Sequence, residues 1–439
     1  MLTKNQIMEK YLNIIFVGGN DLHGVEYGAQ YYFAKSAKDL DLAESAFLAG
    51  INDGPNMYNP YGEEDNSELI KDRTKLVLSF MKEQNRISDN PEEAEKLYNE
   101  AVEKVDKGLE FTRGKIQIGE ISYFVYEAVN DAAKDLAEVK DVDFKEAKAM
   151  IQSGGYKLYT TQVTSIQKAV LKEMAKDSYV QTKKSGKKDE NGNQIVYRTQ
   201  AGTTIIEPTT GKVVAMGGAL GSDQGTNHNY ATSERQTGSS IKPLVDVAPG
   251  LEEKIITAAT VYDDSITNFK GLNYTVKNAG GYQGLCTVRK AIEVSSNIVN
   301  MKVLYTVGIS KAIDYLHEFG LTTYTEEDDA VMSLAIGGAH HGSSTLQMAA
   351  AYAALANKGV YIEPTFYTKL TDTEDKTIVE PKQETRRVIS EANAYIISDI
   401  LTDVVTGYSG TAGACAISGM DVACKTGTTP SSSWVVGFN

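Results

Sequence analysis

QTGSSIKPL, residues 236–244, is the stretch on which the reading of this chain turns. Gly238 stands before Ser239, and Pro243 follows Lys242. Proline is tolerated in the first turn of a helix but not in its interior, because it lacks an N–H and its ring meets the preceding turn. A helix is therefore predicted to begin at about Ser239, with Ser239 and Lys242 three residues apart on one face. Free N–H groups and the positive end of the helix dipole gather at that same terminus. A serine nucleophile needs a proton acceptor within reach, and its transition state needs donors for an oxyanion. This turn offers both. Ser-x-x-Lys recurs at Ser165–Lys168, inside the amphipathic helical pattern TSIQKAVLKEM, and at Ser185–Lys188, inside a charged turn. Both of these read as solvated bystanders.

Two further pieces follow in order. KAIEVSSNIVNMKVL, residues 290–304, reads as a helix with small polar residues set into an apolar stripe. Mid-helix Ser and Asn are unfavourable unless they bond to something. Ser295 and Asn297 either face a cleft or are satisfied by neighbouring backbone. A second Ser-x-Asn, Ser88–Asn90, lies far upstream. DVACKTGTTP, residues 421–430, reads as a strand running into a turn. Gly427 within it admits close approach of another backbone. Lys425 supplies a cation, and Thr426 and Thr428 supply hydroxyl donors suited to a carboxylate. Ser-x-x-Lys, Ser-x-Asn and Lys-Thr-Gly, in that order, form the signature of penicillin-binding proteins and the related β-lactamases.

The rest of the chain frames this signature. Residues 1–115 read as mostly helical. TKNQIMEKYLNII opens on a Thr3 cap with Ile7, Tyr11, Ile14 and Ile15 on one face. DLDLAESAFLAGIN is helical to about Gly50, PNMYNPYG is a loop, and NSELIKDRTKLVLSFMKEQ is helical again. Asn90 and Pro91 are a cap and a first-turn proline. Residues 116–200 form a linker region with helices, a strand at YKLYTTQV and a hairpin whose tip is TKKSGKKDENGNQ. From residue 201 a hairpin, AGTTIIEPTTGKVVAMGG, precedes helices at 240–248, 287–303, 309–318 and 345–357 and the strand-like ACKTGTT and SSWVVGFN. Strands flanking a helical middle predict an α+β domain with one antiparallel sheet. The domains are thus expected at 1–115, 116–200 and 201–439.

With 439 residues, 41% hydrophobic and 23% charged, the chain can bury a large core. Its net charge of -14 argues against nucleic acid as a partner. Cys286, Cys415 and Cys424 have no metal-ligand spacing and read as small buried thiols, with a Cys415–Cys424 disulfide left open. His340 and His341 have no acidic or Cys partner nearby in sequence and read as loop residues, so no metal and no cofactor is expected. No stretch reaches the ~18–20 apolar residues that span a bilayer.

NYATSERQTGSSIKPL, VSSNIVN, IGGAHHGSSTLQMAAAYAALANKGVY and CKTGTT resemble the transpeptidase domain of class A penicillin-binding proteins, which polymerise and cross-link peptidoglycan. Residues 1–50 resemble the last third of that family's glycosyltransferase domain. Lys4, Ile7, Tyr11, Leu12 and Asn13 match one of its motifs, and Arg73, Val77 and Leu78 another, with Thr74 in place of the usual second Arg. The resemblance covers nearly the whole chain.

The resemblance implies a β-lactamase-like transpeptidase domain with a central antiparallel sheet flanked by helices, and a division of labour within it. Ser239 attacks the carbonyl between the terminal D-alanines of a stem peptide, and Lys242 takes its proton. Ser295 relays a proton to the departing D-alanine, and Asn297 holds the substrate amide. Lys425 provides positive potential, and Thr426, Gly427 and Thr428 line the site of the terminal carboxylate. The N–H groups of Ser239 and Thr428 form the oxyanion hole, and β-lactams acylate Ser239. The partners implied are stem peptides ending in D-Ala-D-Ala and, for a longer parent protein, a lipid-linked disaccharide precursor. The resemblance further implies that glycosyltransferase glutamates and an N-terminal membrane anchor precede residue 1 in that parent, at the extracytoplasmic face of a bacterial membrane. It implies that further strands and a helix follow residue 439, and that residues 1–115 alone do not polymerise glycan. The rivals are a D,D-carboxypeptidase or β-lactamase-type hydrolase, and a β-lactam sensor or inactive scaffold.

Overall fold

The computed structural model describes residues 3–18, 22–55, 57–62, 65–113, 122–153, 155–188, 194–221, 228–269, 272 and 275–439. The chain divides into two compact units. One gathers Met1–Ile121, Lys140–Lys157 and Thr371–Lys376; the other gathers Ser122–Val139, Leu158–Leu370 and Thr377–Asn439.

The first unit is helical, with helices Lys4–Ile14, Val25–Phe33, Leu42–Ile51, Ser67–Glu83, Pro91–Lys107 and Phe144–Ser153. Their starts follow from local chemistry. Asp41 accepts from the Glu44 N–H at 3.0 Å, and Glu44 accepts from the Asp41 N–H at 3.1 Å, a reciprocal capping box. Asn90 accepts from the N–H groups of Glu92 and Glu93, with Pro91 in the first turn, as its sequence predicts. The core is aromatic: Tyr32 and Phe33 pack edge-on against Phe47, and Phe111 closes the cluster. The apolar face expected for the first helix is not buried. Ile7 and Tyr11 are exposed, Ile15 just beyond the helix is buried, and the Ile14 side chain lies outside what is described.

In the second unit helices surround the segment that carries Ser239. Asn297–Val307, Ile309–Glu318, Thr345–Ala356 and Glu391–Thr406 all contribute to one apolar core with Ile241, Leu244 and Val245. Residues 297–307 bury Ile298, Val299, Met301, Val303 and Leu304 and leave Tyr305 and Thr306 in solvent. The architecture is α+β. In place of the single antiparallel sheet expected from the sequence, the described strands form separate pairs and one three-stranded sheet. Thr203–Ile206 pairs with Val213–Gly217, and Ala423–Thr428 pairs with Ser433–Phe438, in a register that sets Lys425 opposite Val436 and Gly427 opposite Trp434. A groove of about 290 Å³, lined by Gly202–Ile206, Trp434–Asn439 and residues of the helix Thr345–Ala356, separates the two pairs. The hairpin Thr182–Lys188 with Gln194–Arg198 is present, and its tip lies outside the described residues. Among the described residues no helix is long and apolar enough to cross a membrane.

Candidate active site

The helix predicted at Ser239 is a composite. Gly238–Ile241 is a 3₁₀ turn closed by the Lys242 N–H on the Ser239 carbonyl, Pro243–Val247 is a π turn closed by the Ala248 N–H on the Pro243 carbonyl, and Ala248–Glu252 is α-helical. The reason lies in Pro243 and Pro249, which have no N–H to continue an α-helical ladder. The Ser239 carbonyl therefore bonds one residue early and the ladder resumes one residue late.

Side chains from distant elements hold this turn. Tyr352 donates to the Ser240 carbonyl at 2.6 Å, Trp434 donates to the Gln236 carbonyl at 2.9 Å, and Gln236 donates to the Ala339 carbonyl at 2.8 Å. Glycines let three backbones meet here. A Cβ on Gly427 would lie 2.2 Å from the Thr237 carbonyl oxygen, and one on Gly337 would lie 2.3 Å from that of Gly238. Gly238, at φ 54, abuts Thr428, whose backbone N and O would be 2.8 and 2.7 Å from an added Cβ. The close approach read from Gly427 is thus present. It sets the backbone of Gly238 against that of Thr428.

The Ser-x-Asn segment is not mid-helix. One helix ends at Glu293 and the next begins at Asn297, with Ser296 as its cap. Between them Ser295 adopts φ 59, a left-handed conformation that costs a non-glycine residue about 1–3 kcal/mol and persists only where surroundings over-determine it. Two residues that sequence reasoning missed provide those surroundings. Asp264, fully buried, accepts from Ser296 Oγ at 2.6 Å, Asn278 Nδ2 at 2.8 Å and the Gln283 N–H at 3.0 Å. Asn278 Oδ1 accepts from the N–H groups of Asn297 at 2.8 Å and Ile298 at 3.2 Å. Nothing in the local pattern around VYDD or VKNAG signals this, because both partners are distant in sequence.

The strained serine joins two buried lysines. Lys242 Nζ donates to the Ser295 carbonyl at 2.8 Å, the Ser296 carbonyl at 3.1 Å and Asn297 Oδ1 at 2.9 Å, and lies 3.4 Å from Ser295 Oγ. Lys425 Nζ donates to Ser295 Oγ at 3.0 Å and to the Thr426 carbonyl at 3.1 Å. Burial pushes Lys242 well below the ordinary lysine value and the Lys425 charge pushes the same way, while Asp246 and Asp264 oppose. Burial brings Lys425 down to about 8, with Cys424 opposing. Ser239 is half-buried, Thr426 bonds through its hydroxyl to that of Thr411 at 2.9 Å, and Thr428 is exposed. The structure therefore brings Lys242, Ser295, Asn297 and Lys425 into one bonded cluster. Ser239, Thr426, Gly427 and Thr428 lie on the two backbone segments that meet beside it. A proton could pass between Lys242, Ser295 and Lys425.

The remaining candidates lie elsewhere. Ser165 and Lys168 are exposed on the helix Thr164–Met174. Lys188 is exposed in a strand, and the Ser185 side chain lies outside what is described. Cys286 and Cys424 are buried, Cys415 is only half-buried, and all three are free. His341 does have an acidic partner, contrary to the reading from sequence. Buried Asp329 accepts from its Nδ1 at 2.8 Å and its N–H at 2.9 Å, and this bonding holds the imidazolium form, raising the His341 pKa. The pair ties a loop together. Among the described residues no cluster suits a metal ion.

Residues 201–438 match the family described as the penicillin binding protein transpeptidase domain. The chain belongs to that family. Residues 1–82 match the transglycosylase family. Penicillin-binding protein 1A of Clostridium acetobutylicum is 34% identical over 456 residues, covering 100% of this chain and 54% of the relative. Penicillin-binding protein 2D of Bacillus subtilis is 29% identical, covering 100% of this chain and 59% of the relative. The chain spans about half the length of the curated relatives it matches. Among solved structures, the crystal structure of penicillin-binding protein 1A from Haemophilus influenzae shares the fold, with a TM-score of 0.67 at 22% identity, over 100% of this chain and 80% of that one. PonA1 from Mycobacterium tuberculosis, solved also in complex with penicillin V, gives a TM-score of 0.56 at 21% identity over 70% of this chain and 78% of that one. As a penicillin-binding protein the chain carries all three signature pieces, and the bonded cluster above is where they converge.

Proposed function

We propose that this chain is a serine D,D-transpeptidase that cross-links peptidoglycan stem peptides ending in D-Ala-D-Ala, through an acyl-enzyme on Ser239. The observation that carries the reading is Ser295 Oγ, held between the buried amines of Lys242 and Lys425 beside the Ser239 turn. Burial favours the neutral form of Lys242, the form able to accept a proton. In this mechanism Ser239 Oγ attacks the carbonyl carbon of the penultimate D-alanine and its proton passes to Lys242. The N–H groups of Ser239 and Thr428 meet the oxyanion. The C–N bond then breaks as Ser295 hands a proton to the leaving amine. The terminal carboxylate lies against Lys425, Thr426 and Thr428, where Gly427 leaves no side chain in the way. Asn297 Nδ2, now bonded to the Lys277 carbonyl at 2.9 Å, exchanges that partner for the substrate amide. An amine from a second stem peptide attacks the ester carbonyl, and Ser239 leaves with a proton. A β-lactam follows the first half of this course: its ring C–N bond breaks and the acyl group stays on Ser239. Such wall peptides lie at the extracytoplasmic face of the membrane. The transglycosylase match supports a place in glycan polymerisation from a lipid-linked disaccharide for the protein as a whole.

The test supplies a D-Ala-D-Ala peptide with an amine acceptor, and separately benzylpenicillin, and follows products and adducts by mass spectrometry. The expected results are release of D-alanine with an amide-linked product, and one penicilloyl group on Ser239. Hydrolysis without transfer would make the chain a carboxypeptidase or β-lactamase. A penicilloyl adduct with no peptide turnover would make it a sensor, and an adduct on Ser165 would refute the assignment.

A further inference from the structure

The loop that follows the helix Glu391–Thr406 reaches two of the three signature segments, and the mechanism above gives it no part. It leaves the helix at Gly407, whose N–H donates to the Asp403 carbonyl at 2.8 Å. The Gly410 N–H donates to the Gly407 carbonyl at 3.0 Å, and the N–H of buried Ala412 returns to the Val404 carbonyl at 2.9 Å. The loop is thus folded back on the helix that it leaves.

One side of it is tied to the Ser-x-Asn segment. The Ser409 N–H donates to the Glu293 carboxylate at 3.1 Å. Glu293 ends the helix Val288–Glu293, two residues before Ser295, and accepts from Lys290 Nζ at 2.7 Å. Arg289 of the same helix pairs with Asp399 and, at 2.8 Å, with Asp403. The other side is tied to the Lys-Thr-Gly strand. Thr411 Oγ1 lies 2.9 Å from Thr426 Oγ1, and either hydroxyl can be the donor.

The sense of that bond decides what Thr426 can offer a ligand. A hydroxyl has one proton to donate and two lone pairs, and an ionised carboxylate only accepts. With Thr426 as donor, its single proton is spent on Thr411. With Thr411 as donor, Thr426 accepts and keeps its own proton. We propose that Thr411 is a positioning residue for carboxylate recognition: it donates to Thr426 Oγ1 and leaves the Thr426 proton for the terminal carboxylate of the donor peptide or of a penicillin. Arrival of the carboxylate selects this sense, and the two bonds in series strengthen each other. The bracing by Asp403, Val404 and Glu293 keeps Thr411 in place whether or not the cleft is filled. The inference rests on the transpeptidase reading, which sets the carboxylate against Thr426.

The experiment measures acylation of the full chain by benzylpenicillin and by its methyl ester, for the parent, Thr411→Val and Thr411→Ser. Rates over a range of concentrations give the half-saturating concentration and the limiting rate separately. Thr411→Val keeps the shape and loses the hydroxyl. It should raise the half-saturating concentration of benzylpenicillin roughly fivefold, the size of one net hydrogen bond, and leave the limiting rate within about a factor of two. Thr411→Ser should behave as the parent, and the ester, which has no carboxylate, should acylate all three alike. Thr411→Ala replaces the valine variant if that one does not fold. An unchanged half-saturating concentration would overturn the proposal. So would a loss confined to the limiting rate, an equal loss with the ester, no rescue by serine, or failure of both the valine and alanine variants to fold, which would make Thr411 a structural residue. Absence of acylation of the parent by benzylpenicillin at any concentration would instead refute the transpeptidase reading.

Discussion

On the helix Thr164–Met174, Ser165 and Lys168 stand three residues apart on a regular helical face, both in solvent; the buried residue of that turn is Gln167, which bonds to the backbone of Met216. At Ser239 and Lys242 the spacing is the same and almost everything else differs. Two prolines break the ladder, three glycines bring other backbones against the turn, and the lysine is fully enclosed. Three-residue spacing guarantees a shared face and nothing more. An exposed lysine keeps its hydration; the buried amine of Lys242 is held by whichever acceptors the fold delivers, here the carbonyls of 295 and 296 and the amide of Asn297. Under the proposed reading, reactivity at Ser239 is thus a property of three chain segments far apart in sequence.

That contrast can be broken most directly by removing each lysine in turn. Lys242→Met should slow penicillin acylation by more than 100-fold, about the size of general acid–base contributions, while Lys168→Met should leave the rate within a factor of two. Equal losses would mean that the buried setting has no special standing. A smaller effect is expected one step out from the chemistry. Asn278→Ala removes two backbone N–H partners of the Ser295–Ile298 segment, each bond worth about 0.5–1.5 kcal/mol, so acylation should fall roughly tenfold as Ser295 relaxes from its strained conformation. A crystal structure of the variant with Ser295 still at positive φ would show that Asn278 is not what holds it. The smallest effect is one of pH. Lys425 loses its proton at about 8, so it is cationic below that value and neutral above. Affinity for a peptide carboxylate should be halved near pH 8 and decline further above it, whereas Lys425→Arg should remove the decline because a guanidinium stays charged. A flat profile for the parent chain would place the carboxylate elsewhere.

Much of this was legible in the chain. Order and context picked Ser239–Lys242 out of three Ser-x-x-Lys occurrences, because only there do a glycine and a proline bracket the pair. Gly427 announced a backbone contact, and Asn90–Pro91 announced a helix start. The break at Ser295 was not legible, since apolar periodicity runs straight through residues 290–304 and the partners that bend it, Asp264 and Asn278, belong to a separate segment. Ile7 and Tyr11 keep helical spacing without burial, because periodicity reports a face and not what covers it. The divided sheet was equally out of reach: strand content shows in alternation, but which edges pair depends on the whole core.

The three glycines at the Ser239 turn have a consequence for resistance. Under the proposed reading, a bacterium escaping a β-lactam must alter the site's fit to the drug and keep its fit to the wall peptide. At Gly238, Gly337 and Gly427 even one methyl group would collide with the main chain of the neighbouring segment. No graded change exists there, only loss of the turn that carries Ser239. Selection is left with the rim, where Thr428 is exposed and Thr426 rests against Thr411, and with second-layer residues such as Asn278 that act on the site from a distance.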